Sequence, residues 1–280
     1  MPKKFWQLLI NMKDKFRRRN TMKKVLSMAL ICAMALSMLV GCGKKDDGKF
    51  IVGFDADFPP YGYMDEAGEY VGFDLDLAKE VCTRNGWEVV YQPIDWDSKD
   101  MELSSGNISC IWNGFTMSEE RLDQYEWSTP YVDNSQVFVV AKDSGIKTQA
   151  ELAGLNVAVQ TASSALEALE SEDCADLTAS FSEMTIVPDY NTAFLNLESG
   201  AVDAIAMDIG VAKYQCEQRN NEFVILDEAI VTEQYGVGFL KGNTELRDKV
   251  QKTLDEMAAD GKFMEIAKKW GLEDSVSLGK

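Results

Sequence analysis

The chain has 280 residues, with 46 Asp and Glu against 28 Lys and Arg, no His, and a formal charge of −18. The first 42 residues hold nine Lys or Arg and one Asp, which leaves −26 on the remainder. A body this acidic repels nucleic-acid phosphates and anionic lipid, and the lack of His excludes His-based triads, His proton shuttles and His-ligated metals. The length allows one large domain or two smaller ones with ample core.

Lys23 and Lys24 precede an apolar run from Val25 to Val40 that ends Leu39-Val40-Gly41-Cys42. A basic start, a run of this length and a small-residue exit describe a secretory signal. The run is short and one-sided for a membrane span. Its ending resembles the lipobox of bacterial lipoproteins, which makes Cys42 the expected lipidated first residue. An uncleaved anchor helix is the alternative and would still tether the protein outside. Met22-Lys23-Lys24 reads as a natural start, so residues 1–21 are either a misassigned start or a long basic region. Gly43 to Lys49 is a polar tether. Four cysteines remain, Cys82, Cys110, Cys174 and Cys216, without metal-like spacing. Export permits disulfides; four buried free thiols fit equally well, and no pairing follows from the sequence.

In the body, Phe50 to Phe54 reads as a strand and Asp55 to Tyr61, with two prolines, as an irregular loop. Glu69 to Phe73 is extended. A helix is predicted from Asp74 to Asn85, with Leu75, Ala78 and Cys82 on one stripe, and Gly86 ends it. Trp87 to Gln92 is a strand and Asp100 to Ser104 a short helix closed by Gly106. Ile108 to Trp112 is a buried strand, followed by polar Asn113, Gly114 and Thr116. Ser118, with Glu119, Glu120 and Arg121 behind it, reads as a helix start. A strand, a polar loop and a helix start with an Arg one turn in can hold a small carboxylate, because free N–H groups and a two-pronged guanidinium converge there. A surface turn with a solvated Arg would use the same residues.

A second unit follows the same plan. Gly154 to Val159 is a strand, Gln160 to Ser164 a small-residue loop, and Ala165 to Glu170 a helix. Thr192 to Ser199 is another helix, Gly200 ends it, and a strand from Val202 to Met207 runs into Asp208. The joint Leu103-Ser-Ser-Gly-Asn-Ile-Ser-Cys-Ile matches Leu197-Glu-Ser-Gly-Ala-Val-Asp-Ala-Ile in construction. The repeat predicts two similar α/β lobes. Val137 to Lys142 and Val231 to Leu240, both β-rich, carry the chain across and back. Helices near Thr244 to Asp260 and Lys262 to Trp270 are expected on the first lobe. The expected divisions are a leader over 1–42, a tether over 43–49, lobe 1 over 50–134, lobe 2 over 135–230 and a return to lobe 1 over 231–280.

Several motifs taken together resemble the extracytoplasmic solute-binding proteins, family 3, that serve ABC importers of polar amino acids. They are Asp55-x-x-Phe58-x-Pro60-Tyr61, Gly72-Phe73-Asp74-x-Asp76-Leu77, the Ser-Gly joint, Thr116 with Arg121, Asp208 after the second joint, and Tyr235-Gly-Val-Gly-Phe239. The match covers residues 49 to 275. It implies the two-lobe periplasmic-binding-protein-like fold of type II, with two crossing strands and closure on the ligand. For the carboxylate of an amino acid it implies Arg121, Thr116 and Ser163, with neighbouring groups at Gln160 and Ser164. For the ammonium it implies Asp208 and polar groups around Asn113, Gly114 and Thr116. Phe58 and Trp96 are expected along the ligand's side chain, Asp55 at its far end, and Gly72-Phe73-Asp74 in the fold. Relatives often carry serines where Asn113 and Gly114 stand, and Gly-Thr where Thr161 and Ala162 stand, so no particular amino acid is carried over.

The implied partners are a free amino acid, an ABC permease and ATPase complex, and the membrane through a lipid anchor. Localisation is extracytoplasmic, the protein is expected to be a monomer, and no cofactor, metal or nucleic acid is implied. Capture without catalysis is the expected function. A dehydratase-like enzyme on the same fold would use Asp208 as its acid. A sensory domain would need a following span or signalling domain, and the chain ends at Lys280. Asp55, Asp57, Asp95 and Asp97 favour a basic or hydrogen-bonding side chain such as Arg, Lys or Gln, with cystine also open; ordinary solvated acidity is the other account of that cluster.

Overall fold

A computed structural model describes residues 48–279 of the chain. The leader, Cys42 and residues 43–47 of the tether lie outside the described residues. In chain order come β1 (Lys49–Phe54), β2 (Asp57–Phe58), β3 (Gly62–Met64), β4 (Tyr70–Val71), α1 (Phe73–Asn85), β5 (Glu88–Pro93), a 3₁₀ turn (Trp96–Ser98), α2 (Lys99–Ser105), β6 (Cys110–Ile111), α3 (Glu119–Leu122), β7 (Tyr125–Trp127) and β8 (Val132–Ala141). Then follow β9 (Asn156–Gln160), α4 (Ser164–Glu170), α5 (Ala175–Ser180), β10 (Glu183–Val187), α6 (Tyr190–Glu198), β11 (Ala204–Asp208), α7 (Ile209–Gln218), β12 (Phe223–Tyr235), β13 (Gly238–Leu240), α8 (Thr244–Ala259) and α9 (Lys262–Lys269).

These strands form two five-stranded sheets, ordered β5-β1-β6-β13-β7 and β10-β9-β11-β8-β12, and a small sheet β2-β3-β4. In each large sheet three strands run parallel, and β9 and β11 of the second sheet are buried on both faces, which is why Val157, Val159, Ala204 and Ile205 sit in unbroken apolar runs. The two repeated joints have one geometry. Gly106 and Gly200 each take φ 73°, the left-handed region that a residue with a Cβ resists. Their N–H groups donate to Leu103 O at 3.1 Å and Leu197 O at 3.1 Å, closing α2 and α6 in the same way. Each chain then enters a strand beside the first strand of its sheet, β6 against β1 and β11 against β9.

β8 and β12 pair antiparallel, from Phe223 opposite Ala141 to Tyr235 opposite Val132. From there β13 joins the first sheet, so this pair is the crossing between lobes. The terminal helices return to α1, through Phe263 against Phe73 at 5.9 Å between ring centroids and through the Arg84–Asp260 ion pair at 2.7 Å. α1 itself carries Asp74 and Asp76 in its first turn and ends at left-handed Gly86.

Two expectations change in detail. The strand predicted over Ile108 to Trp112 pairs only at Cys110–Ile111, because Trp112 turns into the loop; its N–H still reaches Gly53 O at 3.1 Å. The helix predicted at Ser118 is a single turn. Ser118 makes no side-chain cap there, and its hydroxyl is buried without a partner. The four cysteines stand as free thiols, three of them buried.

Candidate functional site

Four strand ends meet between the lobes: β1 leads to Asp55, β6 to Asn113 and Gly114, β9 ends at Gln160 and β11 at Asp208. Ligands of open α/β sheets gather beyond such carboxyl ends. Phe58, Trp96, Asn113, Gly114, Thr116, Arg121, Gln160, Ser163, Ser164 and Asp208 line one small cavity of about 10 Å³, room for roughly one water. All ten were expected from the sequence. Asp55 stands next door. Its carboxylate accepts from Gln160 Nε2 at 2.7 Å and lines a larger opening of about 650 Å³ that shares Trp96.

The lobes are in contact across this cavity. Thr116 Oγ1 and Ser164 Oγ lie 3.1 Å apart, a hydroxyl–hydroxyl hydrogen bond, and Asn191 Nδ2 donates to Asp57 Oδ1 at 2.6 Å. Gly210, at the start of α7, lies against the Tyr61 ring. The geometry is a closed one, and a ligand larger than a water enters only if the lobes part.

At the cationic end Arg121 is 8% exposed. Its guanidinium lies 5.3 Å from the Phe115 ring centre, donates to Ala162 O at 3.4 Å and pairs with Glu167 Oε2 of α4 at 3.0 Å. Lys99 Nζ, also buried, reaches the same Ala162 carbonyl at 3.3 Å. Burial, and secondarily the nearby Arg121, lowers Lys99 to about 8. Ala162 has φ 51°, a strained conformation for a residue with a Cβ, and it turns this carbonyl toward both cations. Ser163 caps α4 by accepting from Leu166 N–H at 3.1 Å. Two buried cations beside a helix N-terminus have the chemistry to hold a carboxylate, and Glu167 supplies one to Arg121 in this geometry.

At the anionic end Asp208 Oδ1 accepts from Asn134 Nδ2 at 2.7 Å, Gln136 Nε2 at 2.8 Å and the Tyr235 hydroxyl. Burial raises its pKa despite these donors. Asn113 closes the floor: its Oδ1 accepts from Asp55 N–H at 3.0 Å, and its Nδ2 is buried with no partner. Gly114, at φ 55°, donates its N–H to Asp74 Oδ2 at 2.6 Å. Asp74 thus belongs to the fold, as expected, and holds the floor of the site from behind.

The side-chain end is acidic. Asp55, Asp57, Asp95, Asp97, Glu102 and Asp189 surround the 650 Å³ opening with Trp96. Burial pushes Asp55 up to about 6, against the lowering by its bonds from Asp57 N–H and Gln160.

Sequence reasoning missed Lys99, Asn134, Gln136, Glu167 and Glu233. A signal existed for two of them, Asn134 and Gln136. They are two apart on the buried face of β8, where apolar residues belong, and Glu233 faces Asn134 from β12. Lys99 and Glu167 look like solvated helix charges in a sequence and are revealed only by the meeting of the lobes.

Residues 50–273 match the family model of the bacterial extracellular solute-binding proteins, family 3. The L-cystine-binding protein TcyJ of Escherichia coli K12 is 28% identical over 258 residues, covering 90% of this chain and 95% of that one. The arginine-binding extracellular protein ArtP of Bacillus subtilis is 30% identical over 260 residues, covering 89% and 98%. Among solved structures, an ABC uptake transporter substrate-binding protein from Streptococcus pneumoniae with bound histidine aligns with a TM-score of 0.78 at 34% identity, over 82% of this chain and 95% of that one. These relatives are binding proteins, and the last has the type II two-lobe architecture.

Proposed function

Since the chain belongs to the bacterial extracellular solute-binding proteins, family 3, we propose that it captures a free α-amino acid outside the cytoplasm and hands it to an ABC permease. The observation that carries this reading is the single cavity lined by both Arg121 and Asp208, a fixed positive fork and a fixed negative tip on opposite lobes. A zwitterion bridges them. Its carboxylate takes the Arg121 fork and the N–H groups at the start of α4. Its ammonium takes Asp208 and the lone pairs of Thr116 Oγ1.

The ligand docks on the first lobe against Arg121, Phe58 and Trp96, and closure adds Ser163, Ser164 and Asp208. Closure excludes water, so each ion pair strengthens as the dielectric falls. Only contacts made in the closed form hold it closed. The side chain projects past Gln160 and Asp55 into the acidic opening, which favours a cationic side chain such as that of Arg or Lys over that of Gln. The chemistry is capture without turnover by a monomer, and the resemblance of Leu39-Val40-Gly41-Cys42 to a lipobox supports Cys42 as its membrane anchor. A thermal-shift screen against the free amino acids tests the reading. The largest stabilisation is expected with arginine or lysine, and no stabilisation by any amino acid would reject it.

A further inference from the structure

Glu233 is absent from the set of site residues that the sequence indicates, yet its carboxylate stands directly behind the cavity wall, bonded to residues that line it. From β12, its Oε1 accepts from Thr116 Oγ1 at 2.8 Å and Ser164 Oγ at 3.4 Å, two hydroxyls of the cavity wall that belong to opposite lobes. It also accepts from Asn134 Nδ2 at 2.7 Å and Gln136 Nε2 at 2.7 Å. Those two amides are the ones that donate to Asp208 Oδ1. Two carboxylate oxygens served by the same pair of nitrogens are neighbours. Among the described residues neither carboxylate forms an ion pair with a Lys or Arg; the site's own guanidinium pairs with Glu167. Two adjacent carboxylates, one fully and one largely removed from water, cannot both stay ionised at low cost without a cation.

We propose, building on the amino acid reading above, that Glu233 and Asp208 form one receptor for the ligand's α-ammonium, holding a shared proton that the ammonium expels on binding. The step is an acid–base exchange with no redox partner. The carboxyl O–H bond of the pair breaks, its electron pair stays on the carboxylate oxygen, and the proton passes to solvent. The ammonium, keeping its own three protons, then faces two carboxylates. An exit exists. Glu233 is only partly buried, and it also lines a groove on the outer side of the crossing strands with Asn134, Thr232 and Ser275.

The groups that face this pair explain the sign. Tyr235 donates to Asp208, and Tyr61 and Tyr190 are buried phenols near both carboxylates. On the outer groove stand Asp133, Asp274 and Lys213. Burial and then the neighbouring Asp208 push Glu233 up to about 7. A bound ammonium favours the fully ionised pair. Affinity therefore rises with pH up to about 7, by at most ~10-fold per pH unit for one proton. Glu233 has a second effect. It takes the Thr116 hydroxyl proton, which leaves that oxygen's lone pairs turned to the ammonium.

The test is titration calorimetry of the intact protein with L-arginine and L-glutamine at pH 6, in phosphate and in a buffer of high ionisation enthalpy. A buffer-dependent heat corresponding to release of a substantial fraction of one proton is expected with either ligand. In E233Q the release should fall to what Asp55 contributes with arginine and to near zero with glutamine, with binding retained at reduced affinity. Wild-type binding with no buffer dependence, or unchanged release in E233Q, overturns the proposal and leaves the amino acid reading standing. If no amino acid gives heat, the amino acid reading itself fails and takes the proposal with it. The wild-type arm stands even if E233Q does not fold.

Discussion

A methyl group at Gly210 should hold the lobes apart. Gly210 is in the first turn of α7 on the second lobe, and a Cβ built there would lie 3.0 Å from Cε2 and 3.0 Å from Cζ of Tyr61 on the first lobe, and against its hydroxyl. Tyr61 cannot retreat. It is 1% exposed, with ring centroids of Phe58 at 5.8 Å, Phe73 at 6.4 Å and Tyr235 at 5.2 Å. Overpacking of this kind costs about 1–3 kcal/mol. Here the cost falls on the closed form alone, because parting the lobes relieves it. Apparent affinity drops by the closed fraction that is lost, roughly 5- to 100-fold. Gly210→Ala should therefore bind its amino acid that much more weakly by calorimetry, melt within a degree or two of wild type when empty, and scatter X-rays as a more open particle. Unchanged affinity would refute the reasoning, and so would a large fall in the empty protein's melting temperature, which would place the clash within one lobe.

Arg121→Ala removes the fork and leaves a buried carboxylate unpaired, which costs about 3–5 kcal/mol of binding. Arg121→Lys should recover only part of it, because a single ammonium loses the two-pronged geometry; calorimetry showing near-native affinity in the Ala variant would overturn the assignment. Asp55→Asn should weaken arginine about 10-fold and glutamine little, as for loss of one charge-assisted bond. Since burial raises Asp55 to about 6, wild-type preference for arginine over glutamine should shrink below that pH as the carboxyl protonates. Asp74 is fully buried and burial raises it to about 7. The folded chain therefore holds a proton there that the unfolded chain has lost, so its contribution to stability is greatest below the unfolded carboxyl pKa and declines as pH rises toward 7. Denaturant titrations should show Asp74→Asn faring better relative to wild type at pH 8 than at pH 4.

The plan of the fold was legible because it rests on local signals. Buried parallel strands such as Val157 to Val159 show as apolar runs, and the Gly106 and Gly200 joints repeat the same helix stop. In the cavity lining, Asn113, Gly114, Thr116 and Arg121 were legible locally as polar residues after an apolar strand and at a helix start, and the rest came through the resemblance to the family. Asp55, expected at the far end of the pocket, is one hydrogen bond away from Gln160 of the cavity lining. The crossing strands were less legible. Residues 132–136 alternate with the polar Asn134 and Gln136 facing inward, and the exposed Asp227 and Glu228 interrupt the apolar pattern of β12, so both strands read as shorter than they are. Glu233 and Glu167 were invisible for a physical reason. Each acts by meeting a residue of distant sequence position, Thr116 and Arg121, and a carboxylate on a strand or helix surface looks the same whether or not another lobe will close over it.

The most direct measurement compares an α-amino acid with its own analogues. By calorimetry, the amino acid that gives the largest thermal shift is titrated beside its decarboxylated and its deaminated forms, which keep the side chain and lose one charge each. Both analogues should bind at least ~100-fold more weakly, since each leaves Arg121 or Asp208 facing no charge in a dry cleft. An analogue that binds as tightly as the parent would contradict the bridging of Arg121 and Asp208 by one zwitterion.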